Sequence, residues 1–458
     1  MMMTIYRLLK ILREEPEDWI AYQFGQILDE VMPVVHKWYR PASVFRWVKI
    51  FLQVLRNNWR RDKDLQPIKI VVDYVVYAET RNQASALDTT LRCLKSSECS
   101  VASLTEPYSW LIESEYDYRP IWLTTIDVLN ILILAVLRSW SLFRRLKKCH
   151  PLAIRQFLIE FLKVYMYLVL FERALRTANP KFVLLANDHC SDTRSLISVA
   201  RSLGISTVYL QHASVSDMFP ALRVTYAFLD GINALELYRK CESKANKTIR
   251  EYNYPIIFLS GQKKRLKTKE LYSTEYIGLA INTLDPPDAI DKVVQTILKN
   301  KRKVILRWHP SQPQQEIDAF IEKYENIPKI KLNNPKESSL EDFFSQINLV
   351  IAGNSSVLLE AILSNVNPIY YNFDSNTYND YYQYVRKGLA IQAHNLNEIG
   401  EICLREPSIT DLQRQAVKEY SYTYGTEWQG REGELVAQHL IALAKGENPQ
   451  NLYGYVPF

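Results

Sequence analysis

The stretch NLVIAGNSSVLLEAILSNVNPIYYNF, residues 348–373, decides how the rest of the chain is read. NLVIAGN is a short apolar run rich in branched side chains, the pattern of a strand covered on both faces. SSVLLEAILSN follows with apolar residues at helical spacing behind two serines able to cap a helix. NPIYYNF is then a second strand. A helix between two strands returns the chain to the same end of the sheet, so the strands are parallel.

Working outward, YIGLAIN (276–282), KVILRWHP (303–310) and KIKLNN (329–334) are further strands. They alternate with helical DAIDKVVQTILKNK (288–301), QQEIDAFIEKYE (314–325) and LEDFFSQI (340–347). The rhythm predicts a doubly wound parallel sheet over 274–430. Upstream, KIVVDYVVYAETR (69–81), KFVLLAND (181–188), STVYLQH (206–212) and RVTYAFLDG (223–231) read as strands. TRSLISVARSLGI (193–205) and INALELYRKC (232–241) are helices between them. These define an N-terminal Rossmann-like domain, 1–260, and polar, basic GQKKRLKTKELYS (261–273) is the linker. The last helix, REGELVAQHLIALAKG (431–446), stops at a glycine, and 431–458 is expected to pack back on the N-terminal domain.

The composition bounds the chemistry. The chain has 458 residues, 47% hydrophobic and 23% charged, enough for two domains with their own cores. Only 13 residues are glycine and no G-x-G-x-x-G, Walker A or G-x-S-x-G motif occurs, so a phosphate site must use other chemistry. A net charge of +6 is mildly basic and does not point to nucleic acid. The six cysteines are scattered, with no C-x-x-C pair, which argues against a zinc site or disulfide framework and for a reducing, cytoplasmic setting. MMMTIYRLLKILREEPEDW breaks into charge too early for a signal peptide. The 29 tyrosines suit core, surface and sugar-stacking roles alike.

The first 176 residues form a helical, basic elaboration. In 42–61, Trp47, Phe51 and Trp59 share a helical face opposite Arg46, Lys49, Arg56 and Arg60, an amphipathic pattern of the membrane-interfacial kind. PIWLTTIDVLNILILAVLRSW (120–140) carries Asp127 and Asn130, so it reads as a buried or interfacial helix rather than a spanning one. Arg138, Arg144, Arg145, Lys147 and Lys148 then form a basic cluster suited to anionic lipid or to a solvated face. LAIRQFLIEFLKVYMYLVLFERALR (152–176) is another apolar helix.

The polar clusters fall beyond the carboxyl ends of strands, where open parallel sheets bind ligands. Arg307 and His309-Pro310 end one strand: an arginine fork and an imidazole donor there can hold a phosphate. Gly353-Asn354-Ser355-Ser356 leads into a helix whose N-terminal amides and Ser cap make an anion site, and Glu360, one turn on, is placed for ribose hydroxyls. In the N-terminal half, Asp188 with His189 and, as a rival, His212 are candidates for a general base. Asp285-Pro-Pro-Asp288 has the wrong spacing for a D-x-D metal motif, so no metal or other cofactor is expected.

The R-x-H-P and G-N-S-S pair, over roughly residues 180–445, resembles the bacterial surface-polysaccharide glycosyltransferases of the GT-B fold, nearest to those using CMP-sialic acid or CMP-Kdo. That resemblance implies an α/β chain of two Rossmann-like domains facing a cleft. It assigns His309-Pro310 to the nucleotide phosphate and Ser355-Ser356 to the cytidine ribose. VYLQHASVS is similar to a Q-H-G segment of capsule transferases, with Ala213 in place of glycine. Leu229-Asp230-Gly231 keeps part of an acidic base motif. The implied reaction is inverting, metal-independent sugar transfer in capsule or lipopolysaccharide synthesis. Its acceptor is a surface oligosaccharide or lipid-linked glycan, at the inner face of the cytoplasmic membrane. Polyol-phosphate transfer from CDP-glycerol, a UDP-sugar transferase, an NDP-sugar 2-epimerase and a non-catalytic glycan-assembly scaffold are the competing readings.

Overall fold

A computed structural model describes residues 2–21, 71–104, 117–118, 123–149, 151, 153–245, 254–263, 275–374 and 379–458. The chain divides into two compact units. Unit 1 comprises Met1–His212, Asp217–Lys263 and Arg431–Phe458; unit 2 comprises Ala213–Ser216 and Lys264–Gly430. The Trp47 helix and most of the expected linker lie outside the described residues.

In chain order the strands are β1 (Tyr74–Tyr77), β2 (Val101–Ser103), β3 (Asp117–Tyr118), β4 (Phe182–Leu185), β5 (Ser206–Leu210), β6 (Tyr226–Leu229) and β7 (Ile256–Leu259). Unit 2 supplies β8 (Tyr276–Ala280), β9 (Lys303–Arg307), β10 (Ile330–Asn333), β11 (Leu349–Ala352), β12 (Asn367–Tyr371) and β13 (Ile391–Ala393), and β14 (Tyr455–Val456) returns to unit 1.

Unit 1 has the order β14-β7-β6-β5-β4-β1-β2-β3, and only β14 runs antiparallel to its neighbour. Unit 2 has the order β10-β9-β8-β11-β12-β13, with every pairing parallel. Each sheet starts at an inner strand, adds two strands on one side and then continues on the other. The direction reverses between β1 and β4 in unit 1 and between β8 and β11 in unit 2. Both are topological switch points, where the flanking loops part and leave a crevice beyond the strand ends.

The period-2 pleat explains the two-sided burial. Ile277, Leu279, Val304, Leu306, Leu349 and Ile351 enter one core cluster of unit 2, while Ala280, Ile305, Val350 and Ala352 enter another. In unit 1 the helix Glu432–Ala444 places Val436, Ala437 and Leu440 in the sheet's core. It crosses the helix Arg81–Ser96 so closely that a Cβ on Gly433 would stand 2.5 Å from Thr89 Cβ. A side chain there would force the helices apart.

The N-terminal helix Met2–Glu14 is fastened through Glu15, which is 2% exposed. Its carboxylate meets Arg194 at 2.5 Å, Ser198 at 2.6 Å and Arg201 at 3.1 Å. Burial opposes its ionisation, but Arg194, Arg201, Ser198 and Arg223 outweigh that and hold its pKa down at about 2.

The 120–140 run becomes the helix Thr125–Cys149, and the 152–176 run becomes Ala153–Ala178. The expected basic cluster is divided by the helix period. Arg138 forms a two-pronged pair with Glu17 at 2.8 and 2.9 Å, and Arg145 meets Asp18 at 2.7 Å. Both carboxylates are buried and hold these half-buried arginines against the protein, while Arg144, Lys147 and Lys148 are exposed.

Candidate functional site

In unit 1 the switch point gathers residues from three successive strand ends. The loop after β4 carries Asn187, Asp188 and His189. The Asn187 side-chain oxygen accepts from the backbone amides of His189 at 2.8 Å and Cys190 at 3.2 Å, which turns the chain sharply ahead of the helix Ser191–Ser202. That turn presents the Asp188 carboxylate, 2% exposed, to two donors: His189 Nδ1 at 3.0 Å and the Tyr238 hydroxyl at 2.9 Å. Tyr209 lies 3.2 Å behind Tyr238. A carboxylate only accepts, so Nδ1 carries the proton and the Nε2 lone pair of His189 is left for chemistry.

His189 and His212 come together with ring centroids 6.5 Å apart and the planes nearly parallel, while Phe219 packs on His189 at 4.6 Å. The three candidates for the base therefore occupy one locus in different positions: Asp188 buried behind, His189 in front, His212 at the side. Asp230 is elsewhere in function. It is 2% exposed and bonded to Lys263 Nζ at 2.7 Å, and that ammonium also donates to the Gly261 carbonyl at 2.8 Å. This buried pair ties the end of β6 to the end of β7.

The sequence reading missed the acid pair on the other side of this switch point. Glu79 follows β1, and Asp192 opens the helix after β4. The Tyr77 hydroxyl donates to Glu79 at 2.7 Å, and Glu79 and Asp192 share a hydrogen bond. Burial of the carboxyl, then the charge of Asp192, pushes Glu79 up to about 7. The available signal was positional: Glu79 is the first carboxylate beyond the first strand of the sheet.

In unit 2 the switch point is bounded by the loop after β8 and the loop after β11. Gly353 sits where a Cβ would lie 3.1 Å from Asp285 Oδ1 and 3.3 Å from Phe373, so any side chain would crowd the junction. Asp285 is 9% exposed and accepts from the Asn282 amide at 2.8 Å. Burial pushes its carboxyl up to about 7, with the charge of Asp374 adding to the rise and the Asn282 amide opposing it. Along the sequence Asp285 stands out only for its spacing to Asp288, which is wrong for a metal motif, and nothing local signals its burial. Among the described residues, no group of three or more His, Cys, Asp and Glu side chains has the arrangement of a metal site.

The expected phosphate motifs are rearranged in detail. His309 stands just beyond β9, exposed, and its Nδ1 accepts from the Ser311 amide at 3.1 Å. In the neutral ring Nε2 then carries the proton and is a donor. Pro310 is exposed in the same turn. Arg307 does not form the expected fork with it. Its Nη1 donates to the Asn333 side chain and to the Ser338 carbonyl at 3.1 Å, and the guanidinium lies 5.7 Å from the Phe343 ring centroid, so it braces β10 and the loop after it.

In the second motif, Asn354 accepts from the Tyr381 amide at 2.8 Å and the Tyr370 hydroxyl at 3.3 Å, bracing the loop. The helix begins at Val357 and is seven residues long. Ser355 is its weak cap, accepting from the Val357 amide at 3.4 Å, and Ser356 makes no side-chain cap bond. Glu360 is not presented to a ribose as expected: it is 3% exposed, on a helix face that turns its charge toward Tyr382 and Tyr384.

No protein-family model matches the sequence, and no curated protein matches it. Solved structures do match in shape. An S. aureus MnaA–UDP co-structure is 12% identical, covering 82% of this chain and 97% of that one, with a TM-score of 0.51. A UDP-N-acetylglucosamine 2-epimerase is 14% identical, covering 83% and 98%, with a TM-score of 0.52. Taken with two parallel sheets that each reverse direction after the third strand, these likenesses establish that the chain has the GT-B fold.

Proposed function

We propose that the chain is a nucleotide-sugar glycosyltransferase, with the donor bound at the β8/β11 switch point of unit 2 and an acceptor hydroxyl activated at the β1/β4 switch point of unit 1. The observation that carries this reading is the Asp188–His189 pair, with an imidazole Nε2 held as an acceptor at a strand end. On unit 1 by itself, His189 Nε2 is proposed to take the proton of an acceptor hydroxyl, whose oxygen is the nucleophile of the transfer. The bond from the donor's anomeric carbon to the phosphate oxygen breaks on the side opposite that nucleophile, which inverts the centre, and the nucleotide leaves. Asp188 orients the ring and stabilises the imidazolium. On unit 2 by itself, His309 Nε2–H and the Ser356 amide are the donors proposed for a phosphate of the nucleotide, in place of a metal. The acceptor class is a surface or lipid-linked glycan, and transfer takes place in the cytoplasm.

A second reading is epimerisation of a UDP-sugar. It draws on the names of the solved neighbours and on one observation here: carboxyls near neutrality, Glu79 in unit 1 and Asp285 in unit 2, are suited to moving protons on a bound sugar. The base of the nucleotide separates the readings. In a thermal-shift series with CMP, CDP, UDP and GDP, the ligand that binds raises the melting temperature. CMP supports the CMP-sugar transferase, CDP the polyol-phosphate transferase and UDP either a UDP-sugar transferase or the epimerase. An epimeric UDP-sugar formed without acceptor assigns the last. No shift with any nucleotide refutes donor binding and leaves the scaffold reading, and a His309→Ala variant with an undiminished shift removes His309 from the phosphate site.

A further inference from the structure

The helix Thr125–Cys149 has two faces of different character. Inward it carries Leu134, Leu142 and Leu146, each at most 1% exposed, and Asp127, which accepts from Arg173 at 2.9 Å. Outward it carries Ile126, Leu129, Leu132, Val136, Trp140 and Phe143, all between 45% and 81% exposed. These recur every three or four residues, so they form one stripe, about 26 Å long at 1.5 Å per residue. A continuous exposed apolar stripe of that length is unusual for a surface in contact with water alone.

The stripe ends in a cationic turn. Arg144, Lys147 and Lys148 are exposed there. Arg144 lies 5.6 Å from the Trp140 ring centroid, and Trp140 stacks on Phe143 at 6.2 Å. An indole with a cation against it, between an apolar stripe and a basic turn, suits the boundary between lipid headgroups and acyl chains.

By length and composition Thr125–Lys148 is able to cross a bilayer. Its inward face argues otherwise: Asp127–Arg173, Arg138–Glu17 and Arg145–Asp18 hold it to the protein. Insertion across the membrane would break all three pairs and carry charges into hydrocarbon. We propose that this helix lies in the plane of an anionic bilayer surface, with the Leu132–Val136–Trp140 stripe in the acyl boundary and Arg144, Lys147 and Lys148 on the lipid phosphates. The inference is independent of which nucleotide unit 2 binds.

Co-sedimentation of the full chain with vesicles tests it, comparing pure phosphatidylcholine with a mixture containing about 30% phosphatidylglycerol. Wild-type protein is expected to pellet with the anionic vesicles and less with the neutral ones. Val136→Glu with Trp140→Glu is expected to lower partitioning by roughly a hundredfold or more, the scale of withdrawing two apolar side chains from the acyl boundary. Lys147→Glu with Lys148→Glu is expected to abolish the preference for anionic vesicles. All four positions are exposed, so melting temperature and any nucleotide-induced shift stay at wild-type values. Wild-type protein that stays in the supernatant overturns the proposal. So does a V136E/W140E variant that binds as wild type does, or a wild-type dimer that this variant dissociates without any vesicle binding, which assigns the stripe to a second copy of the chain.

Discussion

Asp285 offers a quantitative test of the unit 2 site. Its carboxyl is raised from 3.8 to about 7, chiefly by burial against the β8/β11 junction. A group whose folded pKa lies above its unfolded value favours the folded state fully only below the unfolded value. From there stability falls by about 1.4 kcal/mol for each pH unit, and the loss is complete above the folded pKa. The window therefore runs from pH 3.8 to about 7, and the whole loss is on the order of 4 kcal/mol as a ceiling. Asp285→Asn keeps a side-chain oxygen for the Asn282 amide, bonded at 2.8 Å in the wild type, and removes the titration. The variant is expected to match the wild type near pH 4 and to exceed it by about 2–4 kcal/mol at pH 8. Parallel urea unfolding of both proteins at several pH values, followed by a unit 2 signal, measures the difference. Other titrating groups are common to both proteins and cancel. A difference that does not change with pH refutes the argument that burial holds this carboxyl protonated, and with it the idea that Asp285 moves protons near neutrality.

Two further predictions bear on unit 1. Asp188→Asn weakens the pull on His189 Nδ1–H and is expected to lower kcat by roughly 10²- to 10⁴-fold with KM little changed, as in His189→Gln, and the double variant should be no worse than either single one. Pre-steady-state turnover with the donor identified by thermal shift reads this, and an active His189→Gln enzyme removes His189 as the base. Glu15→Ala leaves the Arg194 guanidinium, 2% exposed, without its carboxylate, and is expected to cost about 3–5 kcal/mol at pH 7. Because the Glu15 pKa is depressed from 4.5 to about 2, its contribution is present above 4.5 and is lost as pH falls through 2, so the thermal-melting gap between variant and wild type should close in acid.

Much of the fold was legible because buried parallel strands are short, apolar and separated by periodic helices. KVILR, NLVIA, NPIYY, FVLL and STVYL all fall inside strands or within a residue of their ends. The strands that escaped notice are short. β2 and β13 have three residues and β3 and β14 two each, too few to show a period, and β7, with four, is nearly as short. The tyrosine surplus also became intelligible. Among the described residues, seven of the ten largest fully buried side chains are tyrosine, and hydroxyls such as those of Tyr165, Tyr238 and Tyr324 bond to Glu17, Asp188 and Asp291. They fill core volume while satisfying carboxylates that are buried, as at Glu17 and Asp188, or half-buried, as at Asp291.

The sequence by itself determined the class of architecture and the strand ends at which polar residues gather, since local periodicity and turn residues specify both. It also offered Asp188 with His189 and, as a rival, His212 as candidates for the base, and the rings of His189 and His212 lie 6.5 Å apart because adjacent parallel strands end side by side. Which atoms face which partners depended on packing between residues far apart in the chain. Arg307 turned to Asn333, Glu360 turned inward to the tyrosines, and Arg138 and Arg145 found Glu17 and Asp18. Long side chains choose among several partners, and burial settles the choice through desolvation. The same physics raised Glu79 and Asp285, whose neighbours come from other strands and could not be read from spacing along the chain.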